Sequence, residues 1–87
     1  MQNVWFCYLV MCADDTLYTG ITNDLEKRMA AHNNGTASKY TRSRLPTRLV
    51  YFESHRDRSE ASKREAQIKQ LPRSKKLELF QTAGIPK

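Results

Sequence analysis

The chain has 87 residues, with 15 Lys and Arg against 9 Asp and Glu, a formal net charge of +6. That length allows one small domain, with residues 1–87 as a single unit. The charge is uneven: residues 1–37 set Lys27 and Arg28 against Asp14, Asp15, Asp24 and Glu26, a net of −2, whereas residues 38–87 hold 13 basic and 5 acidic residues, a net of +8. A basic half of this kind is the electrostatic footprint of a protein that meets a polyanion.

The first apolar run, residues 4–12, is rich in β-branched and aromatic types on both of its faces. It reads as a central strand covered on both sides. Cys7 and Cys12 both lie on it. On an extended strand they stand about 16 Å apart, and a disulfide needs Cα atoms within about 7 Å. A bridge between them is therefore excluded, and reduced thiols suit the cytosol. The same spacing splays the two sulfurs too far for a zinc site. No Lys or Arg precedes the run, and Asp14–Asp15 follow where a cleavage site would sit, so it does not read as an export signal. It is also far short of the roughly 18 residues a membrane span needs. The expectation is a soluble cytoplasmic protein without a membrane partner.

After a turn at "ADDT", residues 17–22 form a second strand, antiparallel to the first. Asn23 or Asp24 caps a helix with Asp24 and Glu26 in its first turn, and Asn34–Gly35 ends it. Residues 36–46 are polar and basic, with room for a short helical turn. Residues 48–54, "RLVYFES", form a third strand. A second long helix starts at Asp57 or Ser59 and runs to Leu71. Pro72 opens a final helix that ends before Gly84. The predicted order is β-β-α-β-α-α: an α+β fold with helices flanking a three-stranded, mostly antiparallel sheet.

Three residues break these patterns. Glu65 shares a helical face with Ala61 and Ile68, so a carboxylate interrupts an apolar stripe, where an unpaired charge is costly. It is either an edge residue paired with a neighbouring arginine or a ligand for a hard cation. His32 falls in the stripe of Leu25 and Met29, one turn after Arg28. Taken alone, His32 reads as a satisfied core histidine and Arg28 as a surface charge; together they point to a shared site. Gly20 sits inside the second strand, where a glycine marks a bulge or a close approach by something else.

With "CYL" at 7–9 and "YTG" at 18–20, the chain resembles the GIY-YIG nuclease superfamily. An arginine follows ten residues after the second motif tyrosine (Arg28), a histidine four later (His32), and a glutamate stands on the distal helix (Glu65). The stretches "HNNGTASKYTRSRLPTRLVYFE" and "SEASKREAQIKQL" look like the small stand-alone bacterial branch. Two departures stand out: Phe6-Cys7-Tyr8 replaces the eponymous Gly-Ile-Tyr, and Asp15 stands where a glycine is usual.

The resemblance implies hydrolysis of phosphodiester bonds with one divalent metal, Mg²⁺ or Mn²⁺, on Glu65. Arg28 supplies donors to the charge that builds on the phosphate oxygens. A tyrosine activates water: Tyr8 is taken as the base, Tyr18 as the group that positions water or phosphate, and His32 assists the base or contacts phosphate. Gly20 lets the phosphate chain approach the backbone. In residues 38–48, Lys39, Arg42 and Arg44 neutralise phosphates, and Tyr40 stacks on an unpaired base, which favours single-stranded or distorted DNA. Specificity is low or comes from dimerisation or a partner protein. The competing readings are a non-catalytic nucleic-acid-binding module and a nuclease for RNA.

For Tyr8 and Tyr18 to serve one site they must share a sheet face, and opposed residues in an antiparallel pair do so. That requires a hairpin connection of three or five residues, or a bulge that makes the same correction. With three residues, Tyr8 opposes Thr22, Val10 opposes Gly20 and Cys12 opposes Tyr18.

Overall fold

The computed structural model describes residues 4–81. Three strands form one antiparallel sheet: β1 (Trp5–Met11), β2 (Leu17–Thr22) and β3 (Arg48–His55), in the order β2-β1-β3. Four helices complete the fold: α1 (Leu25–Asn33), α2 (Lys39–Arg42), α3 (Arg58–Gln70) and α4 (Arg73–Gln81). The architecture is α+β, as expected. The first three helices begin at a capping side chain. Asp24 accepts from the Lys27 amide, Ser38 from those of Tyr40 and Thr41, and Asp57 from that of Glu60, which satisfies amides that have no partner within the helix. The short turn expected within 36–46 is α2. Pro72 stands just before the last helix and accepts from the amides of Lys75 and Lys76. The helix end expected before Gly84 lies outside the described residues.

The hairpin uses the five-residue connection. Met11 pairs with Leu17, and residues 12–16 make the turn. The Cys12 amide donates to the Thr16 carbonyl at 2.8 Å, and the Asp14 carboxylate accepts from the Thr16 hydroxyl at 2.6 Å. Asp15 takes the left-handed conformation, φ 66°, where aspartate is tolerated better than most residues. The pairing that goes with a three-residue turn is thereby replaced: Tyr8 opposes Gly20, Val10 opposes Tyr18 and Phe6 opposes Thr22. The parity survives, and both tyrosines lie on one face of the sheet.

The other face carries the core. Cys7, Leu9, Val50 and Ile68 are buried together, with Met11, Leu17, Ile21, Tyr51, Leu79 and Phe80 packed around them. Thus α3 and α4 cover the Cys7 face, while α1 and α2 lie over the Tyr8 face. Both cysteines are buried and free. A register shift between Leu9 and Val10 sets Leu49 rather than Val50 opposite Val10.

The absent side chain at Gly20 makes room for Tyr8. A Cβ there would lie 2.5 Å from the Tyr8 hydroxyl oxygen and 2.7 Å from its ring carbon Cζ. The close approach that Gly20 permits in the structure is that of the opposed Tyr8 phenol. Gly20→Ala is therefore expected to destabilise the fold by about 1–3 kcal/mol, the usual cost of overpacking. In a Tyr8→Ala background the same change should cost much less. Urea unfolding of the four members of this cycle measures it, and equal costs in both backgrounds would contradict the packing account.

Candidate active site

The Tyr8 hydroxyl is the hub of the polar groups on the α1 face. It accepts from Arg28 Nε at 3.2 Å and stands 2.9 Å from His32 Nε2. His32 Nδ1 stands 2.9 Å from Thr41 Oγ1, and the Thr41 hydroxyl donates to the Ser38 carbonyl at 3.4 Å. One direction of donation satisfies every group: Thr41 to Ser38, His32 Nδ1–H to Thr41, and Tyr8 to His32 Nε2. Run the other way, the Tyr8 oxygen would accept from both His32 and Arg28, and its own proton would lack an acceptor among the described contacts. Tyr8, His32 and Thr41 are all 0% exposed.

Burial fixes the charge states. It pushes the Tyr8 phenol above its ordinary value, against the opposing pull of the Arg28 hydrogen bond and charge. It pushes His32 below the ordinary imidazole value, and the neighbouring Arg28 charge adds to the effect. The hydrogen bond to Tyr8 holds Arg28 above its ordinary value, against burial, and Tyr18 contributes in the same direction. So Tyr8 stays protonated and His32 stays neutral, while Arg28 carries its charge. Burial, with the nearby Glu53 and Glu65 charges, pushes the Cys7 thiol up to about 12, which removes it as a nucleophile near neutral pH.

The solvent-facing side of this arrangement is a cavity of about 340 Å³ at edge strand β2, lined by Tyr18, Gly20, Arg28 and Glu65 together with Trp5, Ile21, Thr22, Asn23 and Arg58. Tyr18 and Arg28 come from the α1 side of the sheet, Glu65 and Arg58 from α3. The edge of β2 is where the two sides meet. Glu65 is half-buried, with Lys69 Nζ 3.4 Å from its Oε2. Of the alternatives left open for Glu65, its charged neighbour is this lysine rather than an arginine, and its carboxylate still lines the cavity.

The structure therefore brings Tyr18, Arg28 and Glu65 to one cavity, and sets Tyr8 and His32 behind its wall. Of the two motif tyrosines, Tyr8, expected as the water-activating base, is fully buried, whereas Tyr18 lines the cavity. His32 touches Tyr8 through Nε2 and Thr41 through Nδ1.

The basic segment is also redistributed. Tyr40 is stacked on Tyr18, ring centroids 5.8 Å apart at 27°, and the Arg44 guanidinium lies 4.0 Å from the Tyr40 centroid. Arg44 also donates to Asp14 at 3.1 Å and to the Tyr40 carbonyl at 2.8 Å. Tyr40 thus packs against Tyr18 and Arg44 while 37% of it stays exposed. Lys39 and Arg42 are exposed on α2. Sequence reasoning missed Thr41, Arg58 and Trp5. Thr41 sits on a helix of four residues, too short to show a period; Arg58 carried a signal only as a basic residue next to the cap Asp57.

A hard cation fits the donors in the cavity. Mg²⁺ keeps several waters and binds through one or two carboxylates plus substrate phosphates, and Glu65 offers one carboxylate beside open space. The described residues contain no group of three or more His, Cys, Asp or Glu able to cage an ion, so a closed structural metal site is not what this is.

The buried histidine has a consequence for stability. With its folded pKa below the unfolded value of about 6.5, the unfolded chain takes up a proton first as pH falls. The His32 contribution is complete above about pH 6.5 and is lost below it, at up to about 1.4 kcal/mol per pH unit. Urea midpoints between pH 7.5 and 5.5 should fall for the natural chain and fall less steeply for His32→Gln. Parallel curves would mean that His32 is not held neutral.

Comparison with known proteins agrees with this geometry. Residues 4–78 match the GIY-YIG catalytic domain. The UPF0213 protein CPE1444 of Clostridium perfringens is 51% identical over 80 residues, covering 92% of this chain and 86% of that protein. The UPF0213 protein DP2720 of Desulfotalea psychrophila is 54% identical over 80 residues, covering 91% and 73%. Among solved structures, the solution NMR structure of the UPF0213 protein BH0048 from Bacillus halodurans superposes with a TM-score of 0.61 at 37% identity, covering 95% of this chain and 88% of that one. That of EF2693 from E. faecalis superposes at 0.63 with 35% identity, covering 100% and 95%. No helix among the described residues is long and apolar enough to cross a membrane. GIY-YIG is a family of endonucleases that act on nucleic acid and generally use a divalent metal. With the family pattern matched over residues 4–78 and Tyr18, Arg28 and Glu65 gathered at one cavity, the chain belongs to the GIY-YIG family.

Proposed function

We propose that this chain is a metal-dependent DNA endonuclease, a single nuclease domain whose chemistry is carried by Tyr18, Arg28 and Glu65. The observation that carries the reading is their convergence on one cavity at the β2 edge, from both sides of the sheet. Glu65 would hold one Mg²⁺ or Mn²⁺, whose charge would offset that of the phosphate when bound. Arg28 places its guanidinium against the non-bridging oxygens, where charge grows during attack. Its Nε is committed to Tyr8, which fixes the direction of the fork. Tyr18 holds the attacking water and, once its own phenolic proton has passed to solvent in the cavity, takes the proton that water loses. The Tyr18 ring is set by the edge of His32, 5.4 Å away, and by the face of Tyr40. Tyr8 and His32 are positioning residues that act through Arg28 and Tyr18. Lys39 and Arg42, exposed on α2, contact the flanking phosphates, and Arg44 holds Tyr40 in place. One small domain has little surface for reading a long sequence, so sequence specificity would come from a second copy or a partner protein that adds contacts. The free, buried cysteines suit the reducing cytoplasm.

Labelled single-stranded, duplex and branched DNA, with RNA alongside, incubated with Mg²⁺ or Mn²⁺, tests the proposal. Cleavage is expected for the natural chain. Glu65→Gln should abolish it with the fold intact, and Arg28→Gln should reduce kcat by about 10²–10³, the usual cost of losing one donor to the developing charge. Tyr18→Phe should lower it by about 10²–10⁴, the range of general-base contributions. Tyr8→Phe keeps the ring over Gly20 and should cost less than Tyr18→Phe. Binding without cleavage under either metal would favour the non-catalytic module. Cleavage confined to RNA would replace the substrate.

A further inference from the structure

We infer that Arg58, over the face of Trp5, forms a second phosphate subsite that takes the phosphate flanking the one held by Arg28. The inference rests on the nuclease reading and extends it to residues the chemistry does not require. Arg58 is the first residue of α3 and lines the same cavity as Arg28 and Glu65. Its guanidinium carbon lies 5.6 Å from the Trp5 ring centroid. A cation resting on an aromatic face there is worth about 0.5–1 kcal/mol, enough to keep the side chain over the cavity but not to discharge it.

Charge decides between a packing role and a binding role. Arg44, Arg56 and Arg64 each stand within 4.0 Å of a carboxylate. Among the described residues, neither Arg28 nor Arg58 has a carboxylate at ion-pair distance. The lining charges, two arginines against Glu65, sum to +1, and a divalent cation raises this to +3. One phosphodiester brings −1 and leaves a surplus. The cavity's 340 Å³ leaves room beside one phosphate group. A second phosphate of the same strand lowers that surplus from +2 to +1 and uses the remaining room, and Arg58 is the group positioned to take it. The subsite reads backbone charge and not base identity.

Trp5 is the sole tryptophan of the chain and so reports on this place alone. Binding of fluorescein-labelled oligothymidylate of twenty nucleotides, with EDTA present to prevent cleavage, is measured by anisotropy from 50 to 300 mM salt. A parallel titration with unlabelled strand follows Trp5 emission. For Arg58→Gln, the slope of log affinity against log salt should fall by about 0.7, one phosphate's share on a single strand, and the Trp5 response to the strand should shrink. Arg58→Lys should keep the slope. Lys63→Gln, an exposed charge on α3 about 200° around the helix from Glu65, should leave both readouts as in the natural chain. Bis(4-nitrophenyl) phosphate, which has no flanking phosphate, separates subsite from chemistry. Its Mn²⁺-dependent hydrolysis should fall far less with Arg58→Gln than with Arg28→Gln. An unchanged slope in Arg58→Gln, or a drop equal to that of Lys63→Gln, overturns the subsite. Equal losses of ester hydrolysis in Arg58→Gln and Arg28→Gln also overturn it, because Arg58 would then serve the scissile phosphate. If the natural chain hydrolyses neither substrate, the nuclease reading fails, and the EDTA titrations still decide whether Arg58 takes a phosphate.

Discussion

The arrangement hangs on one buried hydroxyl. Tyr8 crosses the sheet face over Gly20, and its oxygen accepts from Arg28 and donates to His32. Each neighbour in turn requires something else. The ring requires that residue 20 have no side chain, and that residue 20 stand opposite residue 8. That register requires a turn of five residues with Asp15 left-handed. The hydroxyl's proton requires an unprotonated His32 Nε2. Its tautomer is set by Thr41, held in turn by the short helix that Ser38 caps. A polar cluster this deep is favourable only when every member is satisfied, and no buried side-chain polar atom among the described residues lacks a partner.

Much of this was legible in the sequence because it obeys period and capping rules. The strand alternation, the caps at Asp24 and Asp57, and the break of stripe at His32 and Glu65 are local signals. The parity of the hairpin was also readable, since two tyrosines on one face allow only odd loop lengths. The choice of five residues over three was not. It depends on the Asp14 carboxylate gripping Thr16 and on the Ala13 amide donating to the Arg44 carbonyl at 2.9 Å, a contact between distant parts of the chain. The different settings of the two tyrosines were not readable for the same reason. Sequence spacing places both on a face but does not tell which phenol is sealed by a helix and which lies at the sheet edge. Tyr40 and Arg44 read as a nucleic-acid strip because basic and aromatic residues interleave there. Their side chains instead stack on Tyr18 and pair with Asp14.

The loop between α1 and β3 thereby acquires a structural task. Asp14 in the hairpin, Arg44, Tyr40 and Tyr18 form a continuous series of contacts from the turn to the cavity. The pair of Arg44 with Asp14 is exposed, and such a pair alone adds little to stability. Here it contributes geometry: it holds the guanidinium over the Tyr40 ring, and the ring holds the phenol that faces the cavity. The net +8 of residues 38–87 is therefore not all available to a polyanion.

The opposite face of the sheet solves a matching problem for Glu65. A carboxylate on α3 reaches the β2 edge only if the helix cannot rotate. Ile68 is sealed into the core beside Cys7 and Leu9, and Arg64 donates to the Glu53 carboxylate at 2.9 Å. Glu53 also accepts from the Tyr51 hydroxyl at 2.6 Å and stands 2.7 Å from His55 Nε2, while His55 Nδ1 meets Glu60 on the first turn of the same helix. These hydrogen bonds hold Glu53 below the ordinary carboxylate value even though burial pushes the other way, so the carboxylate stays charged and the grip on Arg64 persists at neutral pH. With Arg64 fixed on β3 and Ile68 in the core, the intervening Glu65, about 100° from Arg64 on the helix, is directed to the sheet edge. Two polar networks, one on each face, thus aim Arg28 and Glu65 at one cavity from opposite sides of a sheet too thin to carry both on one surface.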